Sequence, residues 1–585
     1  MPKILINEID KTLPGTPNDY ANYSVLIPGF FARTPVLTAD VLEAKKQDPE
    51  STLKADKVQP DSNGIYEFSS YQDFIDVIGL VAPKAVVTTA DEDETTMELF
   101  HYGNQMAYEL LKQGYTVIYM PITPKTCVST LTNANTWDIF KDKANYDFRF
   151  VVHGLLESSD TSALEAQKDT INKALRVLDS KSVIEYDEAT FTVTLDGQNI
   201  DSLSDADLDR DSEANNNVEA TFESESNYSK YYLNELSTGL AGAEADGLRD
   251  TNGEYYTLGG KAAKALINRM RSINELLAAF VTTNTINTAN ANIANLAKYT
   301  AAGSGDNTYN DFDKREPYGR GDCVALIEMD EKTYAGSRSN PELAIIKANR
   351  KMSDINSTNG KYCALTVPSV VYTMTDDERF DNNKKFPGCF HYLTCFMSAL
   401  RTGFAEWYAA AGYTRGVSSY KIDYTTVTLG EVAINALEPR KSENSDSEPS
   451  FACNVIANFR GSYYLWGNRT AHPLENKDLV ASHFLNIRQL CTTIKKQLYV
   501  ACRRFTFDPN SDTLWFNFVN AIRPTLEVMK ADQGIRDYKI MKVYDDRKAT
   551  FKAKIRIIPI EAVEDFDLEV SLEDSFGETA AVVTE

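Results

Sequence analysis

The stretch LVASHFLNIRQLCTTIKKQLYVACRR, residues 479–504, decides how the last third of the chain reads. Val480, Phe484, Ile487, Cys491, Ile494, Leu498 and Ala501 recur at alternating spacings of four and three. That spacing puts one apolar stripe along a helix of about 38 Å, at 1.5 Å per residue. Downstream, Asp508-Pro-Asn-Ser511 opens a second helix bearing Trp515, Phe518, Ile522, Leu526 and Met529, with a kink expected before Pro524 and a stop at Gly534. Strands are expected over 538–544 and 550–558. A helix–helix–strand–strand order makes a compact α+β unit.

Upstream, Val25-Leu-Ile-Pro-Gly29 reads as a strand running into a turn, and 71–79 as a short amphipathic helix closed by Gly79. Residues 97–112 have helical periodicity, Gly114 supplies a C-cap, and 115–120 form a buried strand. A further strand is expected at 148–152 and a helix near 162–178. Alternation of this kind predicts a multidomain chain of α/β and α+β layers. Residues 40–63, 197–229 and 441–450 are charged or polar and read as surface loops, and 1–25 as an arm that builds no core of its own.

At 585 residues the chain is long enough for three or four domains of about 150 residues each. The 31 Tyr and 27 Phe suit broad contact surfaces. The formal charge of −24 argues against binding a nucleic-acid backbone, since phosphate affinity comes mainly from Lys and Arg. Neither a secretory leader nor a membrane-spanning run is expected: Met1-Pro-Lys-Ile-Leu5 opens the chain, and no stretch approaches 18 apolar residues. The eight cysteines are scattered without a CxxC pair and read as reduced core cysteines.

No motif for catalysis emerges, and no cofactor or metal is expected. The five histidines form no HxxxH or HxH pair. Asp205, Asp207 and Asp209 alternate, but the glycine and distal glutamate of an EF-hand loop are missing. Gly259-Gly-Lys261 resembles the end of a phosphate-binding loop, yet Tyr255 stands where the first glycine belongs and Ala262 where Ser or Thr should follow. Arg320-Gly-Asp322 leads into Cys323-Val-Ala-Leu-Ile327, a buried strand, and reads as structural. A Cys–His hydrolase using Cys363 or Cys389 with His391 is the remote enzymatic alternative.

The most informative chemistry lies near the end. Phe551, Ala553, Ile555 and Ile557 alternate with Lys552, Lys554 and Arg556; Phe566, Leu568, Val570 and Leu572 alternate with Asp565, Asp567 and Glu569. Both segments have period two, with one apolar and one charged face of opposite sign. The pattern allows two arrangements: a hairpin within the chain, or docking of the acidic strand on a neighbouring copy.

The run Phe459-Arg-Gly-Ser-Tyr-Tyr-Leu-Trp-Gly-Asn-Arg-Thr470, then Asn486-Ile-Arg488, Phe505-Thr-Phe-Asp-Pro-Asn510, Thr513-Leu-Trp515 and Ile557-Ile-Pro559, resembles contractile bacteriophage (myovirus) tail sheath proteins. Phe386-Pro-Gly388, Trp407-Tyr-Ala-Ala-Ala-Gly-Tyr-Thr-Arg-Gly416, Ile27-Pro-Gly29 and 69–79 fit the same pattern. The resemblance is specific over about 360–560, partial over 20–155 and poor over 180–310. It implies a non-enzymatic subunit, assembled in the host cytoplasm and resident in the virion tail. Stacked six-fold rings around a tail tube contract to deliver the genome, with tube, baseplate and terminator proteins as further partners.

On that resemblance the chain divides into an amino-terminal linker arm (1–25), an α/β domain (26–155), a variable outward-facing insertion (156–360), a tube-facing carboxy-terminal α+β domain (361–560) and an acidic arm (561–585). Ile4 and Ile6, and Asp565, Phe566, Asp567, Leu568, Glu569, Val570 and Leu572, are the expected inter-subunit strands. Phe551, Lys552, Lys554, Ile555 and Arg556 form the acceptor, so the carboxy-terminal sheet is completed by β-strand augmentation between subunits. Lys495, Lys496, Arg503 and Arg504 are the candidate tube contacts. The sheath of a contractile secretion or bacteriocin particle, or another self-assembling shell, is the alternative.

Overall fold

A computed structural model describes residues 23–33, 35–47, 52–81, 84–88, 94–98, 101–123, 126–155, 184–187, 192–195, 198–199, 281, 283–298, 300–301, 317–329, 360–373, 383–429, 453–472, 480–543 and 551–562. Its principal strands are β1 (Ser24–Gly29), β2 (Tyr66–Phe68), β3 (Thr116–Pro121), β4 (Phe150–Val151), β5 (Val324–Ile327), β6 (Cys363–Val367), β7 (Val370–Thr373), β8 (Asn383–Phe386), β9 (Ile422–Thr425), β10 (Asn454–Phe459), β11 (Ser462–Trp466), β12 (Ile535–Val543) and β13 (Lys552–Pro559). The helices that position them are α1 (Gly103–Lys112), α2 (Thr283–Ala297), α3 (Gly388–Arg401), α4 (Leu485–Arg504) and α5 (Asp512–Ala531).

Eight strands form one sheet in the order β11-β10-β6-β5-β4-β1-β3-β2. The six central strands are parallel, and β11 and β2 close the two edges antiparallel. Parallel strands need helical crossovers and bury both faces, which is why these segments are apolar on successive residues. Successive side chains divide cleanly between two cores. Val25, Ile27, Val117, Tyr119, Val324 and Leu326 pack under α1 and α3. Leu26, Ile118, Met120, Ala325 and Ile327 pack against α2. A smaller sheet, β8-β7-β9, flanks the first core through Tyr372 and Phe386.

The sheet crosses the expected domain boundaries at 155/156 and 360/361, because β5 and β6 pair with each other and β5 with β4. Residues 156–360 therefore are not wholly an outward insertion: α2 and β5 are interior, with Ile286, Ile293, Val324 and Leu326 at most 1% exposed. α2 is easy to miss because its sequence, TNTINTANANIANLA, is rich in poor helix formers. Two local readings also change. Residues 40–47 of the expected loop at 40–63 belong to a helix, Thr38–Gln47, and the expected 97–112 helix begins only at Gly103, with Glu94–Glu98 a strand. The expected elements near 162–178 and 441–450, and the expected loop at 197–229 apart from the short strand Gln198–Asn199, lie outside the described residues.

The carboxy-terminal unit has the expected order. α4 and α5 pack on the antiparallel pair β12–β13 around Leu490, Ile494, Phe518, Ile522, Leu526 and Met529. The helix at 479–504 is shorter than its apolar stripe suggests: residues 481–483 form a 3-10 turn, and Val480 is 48% exposed. α5 starts where Ser511 Oγ accepts from Leu514 N–H, runs unbroken through Pro524, and is closed by Gly534 N–H donating to Met529 O at 2.8 Å.

Candidate assembly interface

Four of the residues that carry the sequence resemblance, Trp407, Asn468, Thr470 and Asn486, meet at the joint between the sheet and the α4–α5 unit. Asn468 lies just after β11 and grips the first turn of α4: its Oδ1 accepts from Asn486 N–H at 3.0 Å and its Nδ2 donates to Asn486 Oδ1 at 2.7 Å. Thr470 N–H donates to His483 O, and Thr470 Oγ to Ser482 O. The bond from Asn486 N–H satisfies a donor that a helix start leaves unpaired, and the Thr470 bonds hold the 3-10 turn ahead of it. Asn486 Nδ2 then donates to Trp407 O, while Trp407 Nε1 donates to Asp532 O at 3.0 Å beyond the end of α5. Gly534 lies flat against that indole; a Cβ there would meet the ring at 2.9 Å.

A second set of contacts is ionic. Arg149, at the start of β4 and fully buried, donates to Gln489 Oε1 at 3.0 Å and Thr493 Oγ at 2.7 Å on α4, and lies 3.8 Å from Glu406. Thr493 Oγ in turn donates to Glu406 at 2.8 Å. One turn on, Lys496 pairs with Asp147, and Lys495 Nζ donates to Gly321 O at 2.7 Å. Burial pushes the Lys495 ammonium down to about 8 and lowers that of Lys496 as well. Both lysines, expected to face a tube, are thus engaged inside the subunit. Arg503 and Arg504, in the last turn of α4, are exposed.

The Arg320-Gly-Asp322 triplet is closed within the fold. Arg320 donates to Asp322, Phe140 O and Tyr146 O, and its guanidinium stacks 4.2 Å from the Phe148 ring.

The carboxyl ends of β4 and β5, where open α/β sheets commonly hold ligands, are filled by side chains. His153 Nδ1 accepts from Leu155 N–H, so its proton sits on Nε2 and is donated to Asn290 Oδ1 at 2.9 Å. Asn290 Nδ2 donates to Glu328 O, and Glu328 Oε1 accepts from Cys389 N–H at 3.0 Å at the start of α3. Burial lowers His153 to about 4 and His101 to about 3, and raises Glu328 to about 8. His391 does not meet Cys363 or Cys389 as the hydrolase alternative requires. Tyr372 OH lies 2.7 Å from its Nδ1 and Cys395 Sγ 3.4 Å from its Nε2, and burial holds this thiol far above neutrality. A neutral, solvent-excluded thiol is inert as a nucleophile.

β13 pairs with β12 across its length, with Lys539 opposite Arg556 and Met541 opposite Lys554. Tyr538, Ile540, Phe551, Ala553, Ile555 and Ile557 turn into the α4–α5 core. Of the expected acceptor residues, Phe551 and Ile555 therefore support the unit itself, and Arg556 faces solvent together with Lys539. Among the described residues this sheet has two strands, and each offers one edge without a strand partner. The expected arm residues Ile4, Ile6, Asp565, Phe566, Asp567, Leu568, Glu569, Val570 and Leu572 lie outside the described residues.

Fold and joint together define a three-layer α/β body carrying a two-helix, two-strand appendage. No protein-family profile matches the sequence, and no curated protein is significantly similar to it. Among solved structures, the chain is similar to the PVC sheath complex of an extracellular contractile injection system in its contracted state. The identity is 15% and the TM-score 0.32, covering 47% of this chain and 70% of that one. It is also similar to a chain of the anti-feeding prophage baseplate, at 13% identity and TM-score 0.33, covering 57% and 80%. A sheath tail protein from Desulfitobacterium hafniense matches at 9% identity and TM-score 0.31, covering 96% of this chain and 100% of its own.

Proposed function

We propose that the chain is a structural subunit of a contractile sheath, and specifically the sheath of a contractile phage tail. On this reading it polymerises as stacked hexameric rings around a tail tube, between baseplate and terminator proteins, and contracts by repacking. The observation that carries the reading is the β12–β13 pair: an antiparallel sheet with an edge open among the described residues, exposed Lys539 and Arg556, and a following acidic segment of matching period. Backbone pairing on that edge, with burial of Phe566, Leu568 and Val570 at about 1.5–3 kcal/mol each, supplies affinity. Exposed charge pairs add only about 0–1 kcal/mol each and set partner and register.

The cross-bonded joint between sheet and α4 supports motion of whole subunits as rigid bodies, linked by their arms, in place of deformation within a subunit. Arg503 and Arg504 are the remaining candidate tube contacts. Deleting residues 561–585 is expected to leave a folded, soluble subunit that forms no tubes in negative-stain micrographs. Normal polymerisation of the truncated chain would refute the arm mechanism.

A further inference from the structure

Phe507, in the turn between α4 and α5, is 97% exposed, more than any other large apolar side chain among the described residues. Its backbone stands at φ 76°, a left-handed conformation that is sterically costly for a residue with a large Cβ substituent. Asp508 N–H donates to Phe505 O at 3.1 Å, and Ser511 caps α5, so the turn is held in shape while its aromatic tip points into water. Water exposure of a phenyl ring on a braced, strained turn is unfavourable for an isolated chain.

The same helix pair carries a receptor of matching character. A small cleft between α4 and α5, open on one side and of about 90 Å³, is lined by Leu498, Ala501, Phe505, Ile522, Thr525 and Leu526, with Arg504 among its polar lining groups. The tip presents Phe507 beside the exposed carboxylate of Asp508; the cleft presents apolar walls beside a guanidinium.

We propose that Phe507 of one copy seats in the α4–α5 cleft of a second copy, with Asp508 set against Arg504, which leaves Arg503 alone as a candidate tube contact. An apolar knob beside a carboxylate and an apolar cleft beside a guanidinium are complementary in character and charge on one chain, which selects a second copy over an unrelated partner. This contact rests on the self-assembly reading but uses neither arm, so the two can fail separately.

The test uses the full-length chain. Phe507→Ser, at a position 97% exposed, leaves thermal unfolding of the subunit unchanged and raises the concentration needed for polymerisation at least tenfold. In parallel, a photoreactive phenylalanine analogue at 507 keeps the ring and cross-links copies, with the adduct mapped by mass spectrometry to the cleft, at or beside Leu498 or Thr525. Wild-type assembly matched by Phe507→Ser at the same concentration, or adducts mapping outside the cleft, overturns this contact and leaves the sheath reading standing. A wild-type chain that stays monomeric at every concentration overturns both.

Discussion

Four buried titratable side chains set how the fold responds to pH. His101 and His391 are held down to about 3 and His153 to about 4, chiefly by burial. The unfolded chain takes up protons on these imidazoles below about 6.5, whereas the folded chain refuses them until about 3–4, so stability falls as pH drops through that window. Glu328 works in the opposite sense. The folded chain keeps its proton up to about pH 8, the unfolded chain releases it near 4.5, and stability falls as pH rises between the two. These groups together place maximal stability at roughly pH 6–7. Glu328→Gln keeps the acceptor for Cys389 N–H and removes the alkaline loss. Urea unfolding should show a gain of about 1–5 kcal/mol at about pH 8.5 and much less at about pH 5. Equal gains at both would show that Glu328 ionisation is not the cause. None of this was legible from sequence, since desolvation depends on what surrounds a residue and not on its neighbours along the chain.

At the scale of the element, α4 shows how periodicity can be right about a helix and wrong about its faces. The apolar stripe predicts one buried side, and Ile487 and Ile494 are buried. Yet Arg488, Gln489, Thr492, Thr493 and Lys496 are also buried, because the first turns of α4 lie between the sheet and the α5 unit. Arg149 is the polar key to that position. Arg149→Met leaves Glu406 buried without its cation and is expected to cost about 3–5 kcal/mol. Adding Glu406→Gln should restore part of that loss, with a coupling above about 1 kcal/mol in a double-mutant cycle of chemical denaturation midpoints. Strict additivity would mean the two do not act as a pair. In α5, Pro524 is exposed and interrupts the helical hydrogen-bond ladder without ending the helix. Pro524→Ala supplies the missing donor and should stabilise by about 1–3 kcal/mol; a lower melting temperature would mean that the proline shapes a bend the packing needs.

For the molecule as a whole, the main lesson is that one sheet is assembled from segments hundreds of positions apart, from β1 to β11. On the proposed sheath reading, the matching question is where the arms dock. Reversing Lys554 and Arg556 to Glu should raise the polymerisation concentration about tenfold or more, and adding Asp565→Lys and Asp567→Lys should bring it back. Failure of the compensating pair to rescue, as read by sedimentation, would place the acidic segment elsewhere. The order of the carboxy-terminal unit, the strands at 25–29 and 115–120 and the opposed charges of the last two segments were all determined by the sequence, because period, caps and charge alternation act over a few residues. Tertiary structure alone decided that α2 belongs to the core, that the buried strand β5 joins β4 and β6 in one sheet, and that Lys495 and Lys496 bind inward. It also decided that His391 meets Tyr372 and Cys395. Those outcomes turn on which distant surfaces exclude water together, a property that no local pattern encodes.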